Sequence, residues 1–196
     1  MGNYDKWTDK DAIAQEYVVV LFISRNKDNA HIPNFVERRE SFVATRASGK
    51  IQERFDNFVN RGLRGEMCRL YISVNNRDAA KVHKALIHEL IDMENFRLNH
   101  IDSMIAAIAA RKENAAEHKW LIDLDDITDS EIDEFAKMLA DINVSVAHVS
   151  KTIHGWAVIT EHGFDIRPFK EKFGDKFTLK RDDLLLEQWK VSDECP

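Results

Sequence analysis

Residues 17–24, with the sequence YVVVLFIS, constrain the fold more than any other segment of the chain. The run consists of β-branched, aromatic and other apolar side chains up to Ser24. A continuous apolar run of this length predicts a strand that is buried on both faces, because a half-exposed strand would alternate with polar residues. The chain is therefore expected to build a sheet that is covered by other elements.

Periodicity in the remaining sequence predicts further strands and helices. Strands are predicted at 67–74, 119–124, 143–149, 155–160, 176–180 and 184–189, and helices at 48–60, 77–92, 96–116 and 129–141. Segment 35–45 fits a short strand or irregular structure, and segment 165–173 fits a short helix or a turn. Because Ser150–His154 is too short for a crossover, the flanking strands form an antiparallel hairpin. The predicted fold class is α+β, with helices packed on one mixed, largely antiparallel sheet.

Length and composition indicate one domain over residues 1–196, because the 196-residue chain has seven Gly, three Pro and no linker-like stretch. The net charge of −6 argues against a general nucleic-acid coat, but region 37–69 has eight Lys and Arg against five Asp and Glu. That region is either a nucleic-acid patch or a solvated mixed-charge surface. The longest apolar run has seven residues, so no membrane partner is expected. Cys68 and Cys195 lie far apart and suit a reducing compartment, which predicts a cytoplasmic protein.

The segment WLIDLDD at 120–126 carries the sharpest chemical signal. In a strand, alternation places Asp123 and Asp125 on one face together with Leu121, and Ile122 and Leu124 on the other. Two neighbouring carboxylates repel each other unless a cation lies between them, and Mg²⁺ or Mn²⁺ prefers such oxygen ligands. The alternative is a strand that ends in a solvated acidic turn.

Three other places offer groups that could act on a phosphate or a metal. In the predicted hairpin, Lys151, Thr152 and His154 could bind a phosphate, or they could form an ordinary polar turn. Near the end of the chain, Asp182 or Asp183 could supply a third metal carboxylate, although an acidic turn is the simpler interpretation. On the strand at 67–74, Arg69 shares a face with Tyr71 and could contact phosphate if that face lines a cleft.

The order of these motifs resembles the archaeo-eukaryotic primase (primase-polymerase) superfamily, most closely its small members from phages and mobile elements. The resemblance covers about residues 67–187 and rests on CRLYISVNNRD, WLIDLDD, VSVAHVSKTIHGWAVIT and FTLKRDDLLLE. It implies that Asp123 and Asp125, with Asp182 or Asp183, form the catalytic metal site for Mg²⁺ or Mn²⁺, and that the hairpin contacts a nucleoside triphosphate. In the family pattern a histidine falls at or next to Ala157, whereas this chain has His154 before Gly155.

These motifs lead to two principal expectations about function. One is a nucleotide- and metal-binding, primase-like nucleotidyltransferase that acts in nucleic-acid synthesis. The other is a catalytically degenerate, phage-type scaffold that binds nucleic acid or a host protein, which would place it in the host cytoplasm. A phosphohydrolase that uses Asp123 as nucleophile is a third alternative, but the haloacid dehalogenase pattern requires a hydroxyl where this chain has Ile127.

Overall fold

The computed structural model describes residues 16–93 and 97–193. The strands are β1 (Tyr17–Ser24), β2 (Arg38–Thr45), β3 (Met67–Ser73), β4 (Trp120–Asp125), β5 (Val146–Lys151), β6 (Gly155–Thr160), β7 (Phe177–Arg181) and β8 (Leu184–Val191). The helices are α1 (Lys50–Asn60), α2 (Ala79–Asp92), α3 (Ile101–Ala109), α4 (Asp129–Asp141) and α5 (Arg167–Phe173). Short 3₁₀ turns lie at Leu98–His100, Lys112–Asn114 and Gly174–Lys176.

The chain divides into two compact units. Unit 1 consists of residues 1–72, 76–116 and 187–196, of which the structure describes those within 16–93 and 97–193, and unit 2 consists of residues 73–75 and 117–186. There are two four-stranded sheets, with strand orders β2-β1-β3-β8 and β5-β6-β4-β7. The prediction of one sheet is wrong, because periodicity shows which face of a strand is buried but not which strand lies beside it. The α+β class is confirmed, and the prediction of a single domain stays a prediction.

Unit 1 has its hydrophobic core between α1 and strands β1, β2 and β3. β1 pairs in antiparallel fashion with β2 on one side and with β3 on the other, so the apolar run is central as expected. Its Phe22 is fully buried and packs against Phe42, Phe55 and Phe58, with ring centroids 5.3 to 5.7 Å apart. Aromatic burial of this kind contributes strongly to the stability of the core.

Unit 2 has the element order βαββαβ, formed by β4, α4, β5, β6, α5 and β7. With strand order β5-β6-β4-β7 this is the split-βαβ, ferredoxin-like arrangement. Helices α4 and α5 cover one face of the sheet, where their phenylalanines pack on Ile122 and Leu124. A capping box between Thr128 and Glu131 starts α4 directly after β4. β4, which carries the two aspartates, is an inner strand of this sheet, paired with β6 on one side and with β7 on the other.

Two predicted elements differ from the observed ones by more than two residues at a boundary. The predicted strand at 143–149 begins at Val146, because Asn143 takes a left-handed conformation (φ 55°) and the Val144 N–H donates to the Leu139 carbonyl, closing α4. The predicted helix at 96–116 shortens to α3, because the buried Asn114 side chain donates to the Ile108 carbonyl at 2.7 Å and caps the helix end. Part of that prediction, residue 96, lies outside the described residues. Segment 35–45 contains β2, and segment 165–173 contains α5.

None of the helices in the described part of the chain has both the length and the apolar character that crossing a membrane requires.

Candidate functional site

The acidic strand β4 presents its two predicted aspartates on one face. Ile122 and Leu124 belong to the helix-covered core, whereas Leu121 packs in a separate cluster with Val74, Ala157, Ile159 and Leu185. Asp123 and Asp125 share the face of Leu121 by alternation. The predicted division of β4 into two faces is confirmed. The face that carries Leu121 is apolar around that residue and polar toward the end of β4.

The ammonium of Lys180, on β7, forms an ion pair with the Asp123 carboxylate. Its Nζ lies 2.6 Å from the Asp123 Oδ2, and the Asp123 side chain is 19% exposed. β7 is brought into this position by a bulge opposite Leu121 and Ile122, next to Arg181 in a left-handed conformation (φ 52°). The face thus carries an ion pair at Asp123 and an exposed carboxylate at Asp125.

The hairpin turn lies at the same end of the sheet as the acidic pair. Gly155 pairs directly with Asp125, and the Asp126 N–H donates to the His154 carbonyl at 2.8 Å. A Cβ on Gly155 would lie 1.9 Å from the Leu124 carbonyl oxygen, so this close approach of the two backbones requires glycine. Two motifs that are separated in sequence are therefore adjacent in unit 2.

Lys151 points away from the acidic face. It pairs with Trp156, which pairs with Leu124 of the helix-covered face, and its Nζ lies 5.4 Å from the Trp156 ring centroid. Ser150, one residue earlier, is in the row of Ala157 and Asp123. The Ser150 Oγ is buried and has no hydrogen-bond partner among the described residues. Thr152 is half-buried at the turn, where its N–H donates to the Gly155 carbonyl at 2.9 Å.

Ala157 lies directly opposite Asp123 on β6. Its side chain is 2% exposed, so the place beside Asp123 is filled by a methyl group. The resemblance expects a histidine at or next to this position. His154 is exposed in the turn.

Asp182 and Asp183 follow β7 in the turn before β8. The Asn75 Nδ2 donates to the Asp182 Oδ1 at 3.1 Å, and the Asp183 carboxylate accepts from the Leu184 N–H at 2.8 Å. Within residues 16–93 and 97–193, no three His, Cys, Asp or Glu side chains gather in a group that could hold a metal ion. The third carboxylate stays a prediction.

Arg69 belongs to unit 1 and is 6% exposed. Its Nη2 lies 2.7 Å from the Asp28 Oδ1, and its Nη1 lies 3.4 Å from the Tyr71 hydroxyl. Burial raises the pKa of Asp28, but hydrogen bonding from Arg25 and the charge of Arg69 outweigh it and lower that pKa. Arg69 is therefore held inside unit 1 by Asp28, a carboxylate that it shares with Arg25.

Other basic residues of region 37–69 also have acidic partners in unit 1. Arg38 pairs with Glu66, and Arg54 and Arg61 both pair with Glu40. These contacts reduce the positive charge that the region offers to an outside ligand.

Sequence reasoning missed Lys180 and Ser150 as members of the acidic face. Alternation along β7 predicts which face of the strand carries Lys180. The contact between Lys180 and Asp123, however, depends on the register of β7 against β4 and on the bulge between them. Ser150 was identified as part of the turn, whereas it lies within β5. Comparison with known proteins found no family model, no curated protein and no solved structure that matches this chain.

Proposed function

We propose that unit 2 carries a nucleotide- and divalent-cation-binding site of a primase-like nucleotidyltransferase that acts in nucleic-acid synthesis. The observation that supports the proposal is the meeting of Asp123 and Asp125 with the Gly155 hairpin at one end of the sheet. Carboxylates for a cation and a polar turn for phosphates are the two parts that such chemistry needs side by side.

The donor set of this face suits a hard divalent cation. Asp123 and Asp125 would hold Mg²⁺ or Mn²⁺, since Mg²⁺ is commonly bound through one or two carboxylates, with water and phosphate oxygens completing its shell. The ammonium of Lys180 lies against Asp123, so the position already favours positive charge. When bound, the cation would neutralise a triphosphate and lower the pKa of an attacking hydroxyl.

The chain's own groups would bind and orient the nucleotide. Lys180 is on the acidic face, so it is a better phosphate partner than Lys151, whose ammonium lies over Trp156. Thr152 and His154 at the turn are the remaining candidates for phosphate contact. Asp182 or Asp183 would contribute a third carboxylate to the metal site, as the resemblance to the primase superfamily implies.

A second candidate function is a non-catalytic scaffold that binds nucleic acid or a host protein. Two observations favour it: Ala157 fills the place beside Asp123, and Lys180 already neutralises that carboxylate. Loss of one preorganised contact to a reacting group costs on the order of 10²–10³ in rate. If the protein is such a scaffold, it binds nucleotide without catalysing nucleotidyl transfer.

Cation binding is tested first, by thermal unfolding of the full chain with and without millimolar Mn²⁺. We expect Mn²⁺ to raise the midpoint of the wild type and to have little effect on Asp123→Asn, because one of two carboxylate ligands is lost. Asp141→Asn is the matched control, since Asp141 is an exposed carboxylate at the end of α4 in the same unit. An equal response of both variants would reject the cation site.

Activity separates the two candidate functions. Primer extension and unprimed synthesis are measured with ribo- and deoxyribonucleotides, in Mg²⁺ and in Mn²⁺, for the wild type, Asp123→Asn and Asp141→Asn. Synthesis that Asp123→Asn abolishes and Asp141→Asn preserves supports the nucleotidyltransferase. Nucleotide binding without synthesis supports the scaffold, and absence of both contradicts a nucleotide site in unit 2.

A further inference from the structure

The ion pair between Lys180 and Asp123 lies within the proposed cation site of unit 2. The Lys180 Nζ is 2.6 Å from the Asp123 Oδ2, and the Lys180 side chain is 36% exposed. Asp125 lies on the same face of β4 and is exposed. One carboxylate of the proposed site is therefore already in contact with a positive group of the chain itself, whereas the other carboxylate faces solvent.

The strand register places Lys180 and Asp125 on opposite sides of Asp123. Lys180 lies toward the Leu121 end of β4, where β7 has its bulge. Asp125 lies toward the other end, beside the hairpin turn. The space between the two aspartates is therefore on the other side of Asp123 from the ammonium. If a divalent cation occupies that space, one carboxylate contacts two positive groups, and like charges this close repel each other.

We infer that Lys180 couples cation binding to phosphate binding at this site, an inference that rests on the proposed function. Without a divalent cation, the ammonium of Lys180 stays on Asp123. With a cation present, repulsion moves the ammonium off Asp123, and the phosphate groups of the nucleotide become its partner. A lysine suits this exchange, because its ammonium is a point charge on a flexible four-carbon stem. Only the side chain needs to move.

The coupling predicts effects of opposite sign on the two ligands when the ammonium is removed. A cation alone competes with the ammonium for Asp123, so its binding should become tighter. Phosphate bound together with the cation uses the ammonium, so its binding should become weaker. Phosphate alone should respond little, because the ammonium is then held by Asp123. A lysine that only stabilised the fold would change all three affinities in the same direction.

The test is titration calorimetry of the full chain with Mn²⁺ and with inorganic tripolyphosphate, which carries the phosphates without a base. Lys180→Met should bind Mn²⁺ about threefold more tightly than the wild type, as expected for loss of a partly exposed competing charge. In saturating Mn²⁺ it should bind tripolyphosphate about tenfold less tightly, the effect of one charge-assisted hydrogen bond. In EDTA the two proteins should bind tripolyphosphate equally. Lys137→Met, at an exposed position of α4, is the matched control and should behave like the wild type.

Asp123→Asn provides an independent check in EDTA. It removes the charge that holds the ammonium, so tripolyphosphate should bind about threefold more tightly than to the wild type. Adding Lys180→Met to this variant should cancel the gain. Asp141→Asn removes an exposed carboxylate of α4 and should leave the affinity unchanged.

Two results would overturn the coupling and leave the cation site standing. One is equal Mn²⁺ affinity of the wild type and Lys180→Met. The other is a loss of tripolyphosphate binding in Lys180→Met that is as large in EDTA as in Mn²⁺. If neither Mn²⁺ nor tripolyphosphate bound to the wild type or the variants, the proposed site and the coupling would both be rejected.

Discussion

The two units use their acid–base pairs in different ways. In unit 1 the Glu66 side chain is 1% exposed, and it accepts from two nitrogens of Arg38 and from the Leu63 N–H. In unit 2 the Asp123 carboxylate, whose side chain is 19% exposed, pairs with the ammonium of Lys180. Arg binds a carboxylate through a fixed fork of donors, whereas Lys acts as a mobile point charge. The carboxylate of the first pair is buried and bonded through several donors, whereas the second is a partly exposed ion pair.

The pKa of Glu66 agrees with this difference. Burial raises it, but hydrogen bonds from Leu63, Ser24 and Arg38 outweigh burial and lower the pKa. The neighbouring Cys68 has no comparable compensation, so burial and the charge of Glu66 raise its pKa to about 11. Unit 1 thus keeps Glu66 charged in its interior and Cys68 in the neutral thiol form.

The largest expected effect comes from breaking the pair in unit 1. Arg38→Ala leaves the Glu66 carboxylate buried with part of its bonding lost, and this should lower the free energy of unfolding by about 3–5 kcal/mol. Urea unfolding measures the change. Arg39→Ala is the matched control, because Arg39 is exposed one position along β2. Equal losses in the two variants would contradict a structural role for the pair.

The next effect concerns the hairpin beside the acidic face in unit 2. Gly155→Ala places a methyl group against the Leu124 carbonyl and must push β6 away from β4, which should cost about 1–3 kcal/mol. Gly49→Ala is the control, because a Cβ there meets no atom within 4 Å. Thermal unfolding of both variants measures the difference. A Gly155→Ala protein as stable as Gly49→Ala would show that the two strands can separate without cost.

A smaller effect is expected when the pair in unit 2 is broken. Asp123→Asn and Lys180→Met should each change the free energy of unfolding by less than about 1 kcal/mol, as is typical of partly exposed ion pairs. The measurement is urea unfolding without divalent cations. If either variant lost as much free energy of unfolding as Arg38→Ala, the Asp123 pair would be as important for stability as the Glu66 pair. The proposed difference between the two units would then be contradicted.

The smallest effect is a change in acid sensitivity. A hydrogen bond from Lys176, and further bonds from the N–H and hydroxyl of Thr128, lower the pKa of Glu131 from 4.5 to about 2. Because the folded-state pKa is lowered, its stabilising contribution is complete above pH 4.5 and is lost as the pH falls toward 2. Glu131→Gln should therefore make the loss of stability between these pH values less steep.

Urea midpoints measured between pH 5 and pH 2.5 test this expectation. Glu171→Gln, at an exposed carboxyl of α5, should follow the wild-type curve. Identical curves for all three proteins would show that the cap of α4 does not contribute to acid sensitivity.

Much of the local structure could be predicted from the sequence. The run at 17–24 and the helix at 129–141 have the predicted bounds, because apolar periodicity reflects burial that each segment must achieve. The two faces of β4 followed from strand alternation for the same reason. The limits of α3 and β5 could not be predicted, since they depend on a buried Asn114 and on the left-handed Asn143.

The sequence by itself determined the chemistry that the candidate site can hold: two aspartates on one strand face and a glycine-containing hairpin. Only the tertiary structure decided which groups meet them. Strand order placed the turn beside Asp125, register placed Ala157 opposite Asp123, and a bulge brought Lys180 to that carboxylate. Alternation is a property of one strand, whereas these neighbours depend on pairing between strands that are distant in sequence. The same reason explains α2, whose periodicity predicts a helix but not that Leu90 and Ile91 stay exposed.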